Sequence, residues 1–239
     1  FLQALALGVC VRKLGHNPVL VNYSRPHLRF VYLVKNIFRN QSKSFFRKGL
    51  SIINISLEQI LRMRLKHIVR KVIPMCSLNT LSKIDDRNTI YMTGSDQVWN
   101  NEYNRGIDPV FYLDFAPQHA KKIAYAASIG QNSLSDIEKE SMRSALKCYA
   151  CLTVREDLAK AQLTELGYDS TQVLDPTLLL SKEEWLSVFK KSSFIKVEPF
   201  LLVYSVEWNN DDLIMKLAKD IASLRGLKIY VYSTSWNVK

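Results

Sequence analysis

The chain has few of the residues that form disulfide bonds, metal sites and tight turns. Its 239 residues include only four cysteines, four histidines, eight glycines and seven prolines. The cysteines form no evenly spaced disulfide framework, and the histidines share no metal-ligand spacing. No apolar run approaches the roughly 20 residues that span a bilayer, and the first residues lack the pattern of a signal peptide. The sequence therefore predicts a cytoplasmic protein without a metal centre.

One pair of cysteines, Cys148 and Cys151, lies close together in the sequence. A tetrahedral metal site would need a second pair or nearby histidines, and the chain supplies neither. Cys148 is expected at the end of a helix and Cys151 at the start of a strand. We expect both to be buried thiols that behave as small apolar residues.

Acidic residues are scarce in the first third of the chain. Up to Ile73 there are fourteen lysines and arginines against the single acid Glu58, although the net charge of the whole chain is only +11. The segment from Arg25 to Lys71 mixes these cations with aromatic residues. Such a segment is either a solvated insertion or a surface for an anionic membrane or a phosphate-rich acceptor. It carries no recognition signature for nucleic acid, so we expect no nucleic-acid partner.

The remaining composition is that of an ordinary globular protein, with 47% hydrophobic and 23% charged residues. The length leaves room for one large or two medium domains. Because the chain begins within a helical pattern at Phe1 and ends just after a strand-like run at Lys239, we expect it to be a fragment.

Hydrophobic periodicity predicts alternating strands and helices, which indicates an α/β fold. Two pairs, Ser135 with Glu138 and Ser181 with Glu184, have the spacing of capping boxes that open helices. The charged and serine-rich stretch 191–199 reads as a linker between domain 1–190, with its basic helical insertion at about 25–75, and the start of a second domain at 200–239. The predicted strands are 19–21, 89–93, 121–128, 151–154, 171–174, 200–206 and 227–232, and the predicted helices are 1–14, 28–39, 57–72, 135–147, a helix to 166, 181–189 and 211–225.

The second predicted domain reads as a β-α-β unit. Its first turn, Ser205-Val206-Glu207-Trp208-Asn209, contains no glycine-rich phosphate fingerprint. This argues against a dinucleotide-dependent dehydrogenase.

Polar residues follow one predicted strand at once. After Gly94 come Ser95, Asp96, Gln97 and, three residues later, Asn100. Ligands of open α/β sheets bind beyond the carboxyl ends of strands, and glycine permits a close approach there. These side chains are therefore candidates for gripping a polar ligand. They are equally typical of helix caps and turns.

Five motifs in order resemble the polysaccharide pyruvyl transferase family. The resemblance covers about Tyr91 to Trp185 well and is poor over the basic insertion. The motifs are Gly94-Ser95-Asp96-Gln97-Val98-Trp99-Asn100, Phe111-Tyr112-Leu113-Asp114-Phe115, Lys122-Ile123-Ala124-Tyr125-Ala126-Ala127-Ser128-Ile129-Gly130, Val154-Arg155-Glu156 and Val173-Leu174-Asp175-Pro176-Thr177-Leu178-Leu179.

The resemblance implies two Rossmann-like domains arranged as in the GT-B glycosyltransferases, the second truncated here. It also implies transfer of the carboxyvinyl part of phosphoenolpyruvate onto two hydroxyls of a glycan or lipid-linked sugar, which gives a pyruvate ketal and needs no cofactor. Further anion-binding and acid/base residues of the family, including a histidine, lie beyond this chain, so we expect the fragment alone to be inactive.

The residues can be tested against that chemistry. A donor with a carboxylate and a phosphate calls for a guanidinium near a helix amino terminus, and Arg155 is expected in that position. Its alternative is a structural salt bridge, with Glu156 or between domains. Ser95, Gln97 and Asn100 suit sugar hydroxyls, and Asp96 is the candidate general base. Asp175 reads as a helix-entry cap.

Two other functions stay open from the sequence. A GT-B-like glycosyltransferase that uses a nucleotide sugar shares the architecture, and a non-catalytic relic that binds glycan or membrane fits a missing half. The transferase hypothesis requires that the polar stretch at Ser95 and the guanidinium of Arg155 face one shared hollow.

Overall fold

The computed structural model describes residues 1–39, 45–81, 88–189, 198–204 and 211–232. Backbone contacts divide the chain into two compact units, Phe1–Phe189 and Lys190–Lys239. Residues 191–197 of the predicted linker lie outside the described residues.

Helices and strands alternate through the first unit. Its described helices are α1 (Leu2–Lys13), α2 (Phe30–Arg39), α3 (Phe45–Val72), α4 (Leu78–Leu81), α5 (Asn101–Asn104), α6 (Asp136–Leu146), α7 (Asp157–Glu165) and α8 (Lys182–Val188). Its described strands are β1 (Leu20–Val21), β2 (Met75–Cys76), β3 (Ile90–Asp96), β4 (Lys121–Ala127), β5 (Tyr149–Val154) and β6 (Thr171–Gln172). Short 3-10 turns span Pro26–Leu28, Pro109–Tyr112 and Pro176–Leu178.

The main sheet is parallel and follows chain order, β3-β4-β5-β6, and β1 and β2 form a separate parallel pair. Parallel neighbours need a crossover, which α6 and α7 supply between β4, β5 and β6. The predicted α/β class is confirmed. The carboxyl ends of β3, β4 and β5 consequently lie at one edge of the sheet.

Both predicted capping boxes are present. The backbone N–H of Ser135 donates to Glu138 Oε2 at 2.8 Å, and the hydroxyl of Ser135 accepts from the backbone N–H of Glu138. Ser181 and Glu184 make the same pair of bonds at the start of α8. Each box satisfies amide groups that have no partner within the helix, and so fixes where α6 and α8 begin.

The largest core cluster contains buried residues of β4 and β5 together with those of α6 and α7. Trp99 is fully buried in it and stacks on Tyr112, with ring centroids 5.9 Å apart. Residues of α6 and α7 such as Met142 and Leu163 complete the cluster. A second cluster joins Leu5 of α1 to Val69 and Ile73 near the end of α3.

Gly94 allows α1 to approach the sheet. A Cβ at this position would lie 2.9 Å from Leu7 Cδ2, a distance that real side chains do not tolerate. The predicted close approach is confirmed. The prediction that the strand ends at Gly94 is wrong, because β3 pairs with β4 as far as Asp96 and Ala127.

Three other sequence predictions differ from the structure. The helix predicted from Leu57 is α3, which begins twelve residues earlier at Phe45, and the strand predicted over 171–174 covers only Thr171–Gln172. Cys148 and Cys151 are exposed, not buried. The residues of β5 that point into the core are instead Leu152 and Val154.

The second unit contains β7 (Phe200–Tyr204), α9 (Asp211–Arg225) and β8 (Lys228–Tyr232). The two strands are parallel, with Val203 opposite Val231. This is the predicted β-α-β unit. Within the described residues of both units, no helix is both long and apolar enough to cross a membrane.

Candidate functional site

The carboxyl ends of three strands are joined by backbone hydrogen bonds. The amide of Ser128 donates to the carbonyl of Asp96 at 3.1 Å, and the amide of Arg155 donates to the carbonyl of Ala127 at 3.2 Å. The residues that follow β3, β4 and β5 are therefore held at one level along this edge. This is where ligands of open α/β sheets bind.

The backbone is unusual at the same edge. Asp96 has φ 151° and Ala126 has φ 49°, values that residues with a side chain seldom adopt. The pairing of β4 with β5 shifts register between Ala124 and Ala127, so β4 carries a bulge there. Positive-φ residues and bulges of this kind concentrate at binding and catalytic sites, because the surrounding structure must hold them in place.

The carboxylate of Asp175 brings four chain segments together. Its Oδ2 accepts hydrogen bonds from Gln3 Nε2 at 2.7 Å, Ser95 Oγ at 2.9 Å and Arg155 Nη1 at 3.0 Å. Its Oδ1 accepts from the backbone N–H of Thr177 at 2.9 Å and from its hydroxyl at 2.7 Å. The cap predicted for Asp175 is confirmed, and the same side chain also connects two of the candidate site residues.

These bonds determine the ionisation of Asp175. Partial burial by itself would raise the pKa of this carboxyl group. The hydrogen bonds from Thr177, Gln3 and Arg155 outweigh burial and hold the pKa of Asp175 well below its usual range. Asp175 is therefore negatively charged at neutral pH and fixes the position of the Arg155 guanidinium.

Arg155 makes a second ion pair. Its Nε donates to Glu156 Oε1 at 2.8 Å, and its side chain is 28% exposed. The alternative of a Glu156 salt bridge is thus present in the structure. A guanidinium has five N–H donors, and the described contacts use two of them, which leaves three for a ligand. The clamp role of Arg155 stays a prediction.

The candidate residues at the end of β3 and just after it differ in exposure. Asp96 is exposed, and its Oδ1 accepts from the amide of Gln97 at 2.9 Å. Asn100 is buried, caps α5 through the amide of Tyr103 at 2.8 Å, and donates to Gln97 Oε1 and Gly130 O at 3.2 Å each. The capping alternative accordingly describes Asn100, whereas the ligand roles of Asp96 and Gln97 stay predictions.

Gly130 supports this loop from the neighbouring strand connection. It has φ +62°, and a Cβ there would lie 2.9 Å from Gln97 Nε2 and 3.0 Å from Asn100 Nδ2. Only glycine fits both the backbone conformation and the space. Gly130 therefore helps to fix the amide of Gln97.

Sequence reasoning missed Arg25. Its guanidinium lies over the rings of Tyr103 and Phe111, 4.7 and 4.6 Å from their centroids, and its Nη2 is 3.5 Å from the carbonyl of Gln97. Its buried Nε has no hydrogen-bond partner among the described residues. In the sequence it was indistinguishable from the other cations of the basic segment. The structure separates it from them and places it beside the loop.

Charges of both signs lie along this edge. Arg155 pairs with the carboxylates of Glu156 and Asp175, the carboxylate of Asp96 is exposed at the end of β3, and Arg25 approaches the carbonyl of Gln97. The exposed carboxylate of Asp96 and the half-buried amide of Gln97 suit hydroxyl groups, and the remaining guanidinium N–H groups of Arg155 suit an anion.

Two clefts of the first unit lie away from this edge. Two clefts of about 330 and 720 Å³ run between α6 and the segment 101–114, and they share Ile107 and Ser141. Neither is lined by Ser95, Asp96 or Arg155. The shared hollow expected from the sequence is therefore not one of these clefts, although Ser95 and Arg155 do meet at Asp175. Within the described part of the chain, no group of three or more His, Cys, Asp or Glu side chains is placed to hold a metal ion.

Comparison with known families gives one match. The model of the family described as polysaccharide pyruvyl transferase matches residues 2–235, nearly the whole chain. Searches of curated proteins and of solved structures return no significant match.

Proposed function

Because this chain belongs to the polysaccharide pyruvyl transferase family, we propose that it takes part in transferring the carboxyvinyl group of phosphoenolpyruvate to two hydroxyls of a glycan or lipid-linked sugar. The observation that carries the proposal is the meeting of Ser95 and Arg155 on Asp175 at the carboxyl edge of the sheet. Asp96 follows Ser95 in the chain, and its side chain is exposed.

The proposed reaction balances without a cofactor. Two C–O bonds form between C2 of the donor and the two sugar oxygens, and the C2–O bond to phosphate breaks. Of the two hydroxyl protons, one is taken up at C3, which turns the vinyl CH₂ into a methyl group, and the other leaves with phosphate. The products are a pyruvate ketal and inorganic phosphate.

The residues have distinct parts in this proposal. Arg155 binds the donor's carboxylate or phosphate through its remaining N–H groups, and Arg25 adds positive charge next to Gln97. Asp96 accepts a proton from an attacking hydroxyl, and Gln97 hydrogen-bonds to the acceptor sugar. Ser95 and Asn100 act by positioning this loop, because their side chains already bond within the protein.

Two further elements belong to the proposal. Both units are Rossmann-like domains of the GT-B type, a reading supported by the parallel sheet of the first unit and the β-α-β unit of the second. The reaction takes place in the cytoplasm.

The test is donor binding by variants of Arg155. We expect Arg155→Ala to weaken phosphoenolpyruvate binding by about 1.5–3 kcal/mol, roughly ten- to hundredfold, the usual contribution of a charged hydrogen bond. Arg155→Lys should recover only part of the loss, since an ammonium lacks the planar fork. Isothermal titration calorimetry measures the affinities, and thermal unfolding shows that each variant is folded.

A matched control is Arg143→Ala. Arg143 also forms an ion pair with a neighbouring glutamate, but it lies on α6 and makes none of the contacts of Asp175. Equal affinities of wild type, Arg155→Ala and Arg143→Ala would remove Arg155 from the donor site. Phosphate release from phosphoenolpyruvate on addition of candidate glycans tests the reaction itself, and glycosyl transfer from a nucleotide sugar in its place would refute it.

A further inference from the structure

The long helix α3 presents an apolar stripe to solvent. Ile53, Leu57, Ile60 and Leu61 are 56, 41, 42 and 62% exposed. Their spacing of i, i+4, i+7 and i+8 places them on one face of the helix. Such a face is normally buried, and here no described residue covers it.

This stripe is not the side of α3 that the fold uses. Val69 of α3 and Ile73, the residue that follows the helix, are buried and pack against Leu5 of α1. At 3.6 residues per turn they point about 140–180° away from the middle of the stripe. α3 also packs on α2. The stripe therefore adds nothing to the core and costs solubility.

Cations are frequent in the part of the chain that carries the stripe. From residue 25 to residue 73 the sequence has twelve lysines and arginines and one acid, Glu58. Exposed members of this set lie on both helices and the turn before α2. They are Arg29, Lys35, Arg39, Arg62, Arg64, Arg70 and Lys71.

We propose that the α2–α3 surface, defined by this stripe and these exposed cations, binds the surface of an anionic phospholipid bilayer. The helix lies in the plane of the interface, with the stripe among the acyl chains and the guanidinium and ammonium groups on headgroup phosphates. Peripheral binding of useful strength needs two signals, and this surface supplies both apolar area and positive charge.

Charge selects this occupant over others. A second copy of the chain would bring a cation-rich surface against an identical one, and like charges facing each other oppose association. An uncharged protein partner would cover the stripe but leave the cations without counter-charges. An anionic bilayer satisfies both features at once.

The experiment is flotation of the chain with lipid vesicles. Vesicles of phosphatidylcholine alone are compared with vesicles that contain about one-third phosphatidylglycerol. We expect binding to the anionic vesicles only, and weaker binding when salt is raised from about 0.1 to about 0.5 M, because screening shortens the reach of the cations.

Two variants separate the signals. Ile60→Ser with Leu61→Ser should lower the partition coefficient at least about tenfold. Arg64→Gln with Lys71→Gln, which removes two exposed cations on the side of α3 that carries the stripe, should lower it by a similar factor. The matched control is Ile137→Ser with Leu224→Ser, which removes two apolar side chains that are 81 and 86% exposed outside this surface and should change nothing.

Several results would overturn the proposal. One is equal binding to neutral and anionic vesicles, and another is no binding to either. A third is full binding by the Ile60→Ser, Leu61→Ser variant, with circular dichroism showing intact helix content. Sedimentation that shows a dimer of the wild-type chain, and a monomer of this variant, would assign the stripe to a second copy instead.

Discussion

Replacing Asp175 with asparagine tests the centre of the candidate site. The carboxylate accepts three hydrogen bonds at Oδ2, from Gln3, Ser95 and Arg155, and two at Oδ1, both from Thr177. Asparagine has a single acceptor oxygen, so its NH₂ group must face one of these two sets of donors. In one orientation the NH₂ group faces the guanidinium of Arg155. In the other it faces Thr177, and the cap of the turn at Pro176–Leu178 is lost.

The expected loss follows from counting donors. A buried donor left without an acceptor costs about 1–3 kcal/mol, and a lost helix cap costs about 0.5–2 kcal/mol. Either orientation leaves at least one donor without an acceptor, since the hydroxyls of Ser95 and Thr177 can turn and accept, and either removes the negative charge that pairs with Arg155. We therefore expect Asp175→Asn to lower the free energy of unfolding by about 2–4 kcal/mol at neutral pH. This is a large part of the total unfolding free energy of a typical domain, about 5–15 kcal/mol.

The loss should depend on pH in a defined direction. The pKa of Asp175 is lowered in the folded protein, so its contribution to stability is fully present above the ordinary aspartate pKa of about 3.9. As the pH falls below that value toward the folded-state pKa, the contribution is lost. The difference between wild type and Asp175→Asn should therefore be constant near neutrality and shrink below about pH 4.

Urea unfolding followed by tryptophan fluorescence measures this difference. Asp114→Asn is the matched control, because Asp114 is exposed in a turn and its side chain makes no hydrogen bond to the described residues. It should change the unfolding free energy by less than about 0.5 kcal/mol. A loss in Asp175→Asn no larger than that of the control, or one that persists unchanged to about pH 3, would refute the role of the charged hydrogen bonds.

Two smaller predictions concern the surroundings of the site. Gly130→Ala should destabilise the protein by at least about 1 kcal/mol more than Gly167→Ala. Both positions have positive φ, but only a Cβ at position 130 would meet other atoms, those of Gln97 and Asn100. Equal losses of unfolding free energy in urea would contradict this. Tyr23 donates to Asp108 Oδ2 at 2.7 Å, and burial together with this bond raises the pKa of Tyr23 to about 12. Tyr23→Phe should therefore lower the free energy of unfolding by about 1–2 kcal/mol below about pH 10, and this loss should disappear as the pH rises through the folded-state pKa. A loss that is the same at all pH values would exclude the hydrogen bond as its cause.

Features that depend on residues close together in the sequence were predicted correctly. The capping boxes at Ser135 and Ser181 were predicted from spacing alone and are present, because the partners are three residues apart. The close approach at Gly94 was predicted as well, since only glycine lacks the Cβ. The contact with Leu7 of α1 was not predicted, because neither segment's sequence indicates that the two are neighbours.

Contacts between distant segments escaped the sequence. Asp175 was predicted as a cap for the turn that follows it, and its bonds to Ser95 and Arg155 were not foreseen, since they depend on how β3 and β5 end at one edge. Arg25 was counted with the exposed cations for the same reason. Only its stacking on aromatic rings from another segment distinguishes it.

The bond between Gln3 and Asp175 spans 172 positions of the chain. Closing so large a loop is slow and entropically costly, so contacts of this kind form after local structure. During synthesis from the amino terminus, α1 and β3 emerge long before the carboxylate that connects them. The edge that carries Ser95 and Arg155 can therefore take its final arrangement only after residue 177 has been made, and any shorter translation product lacks it.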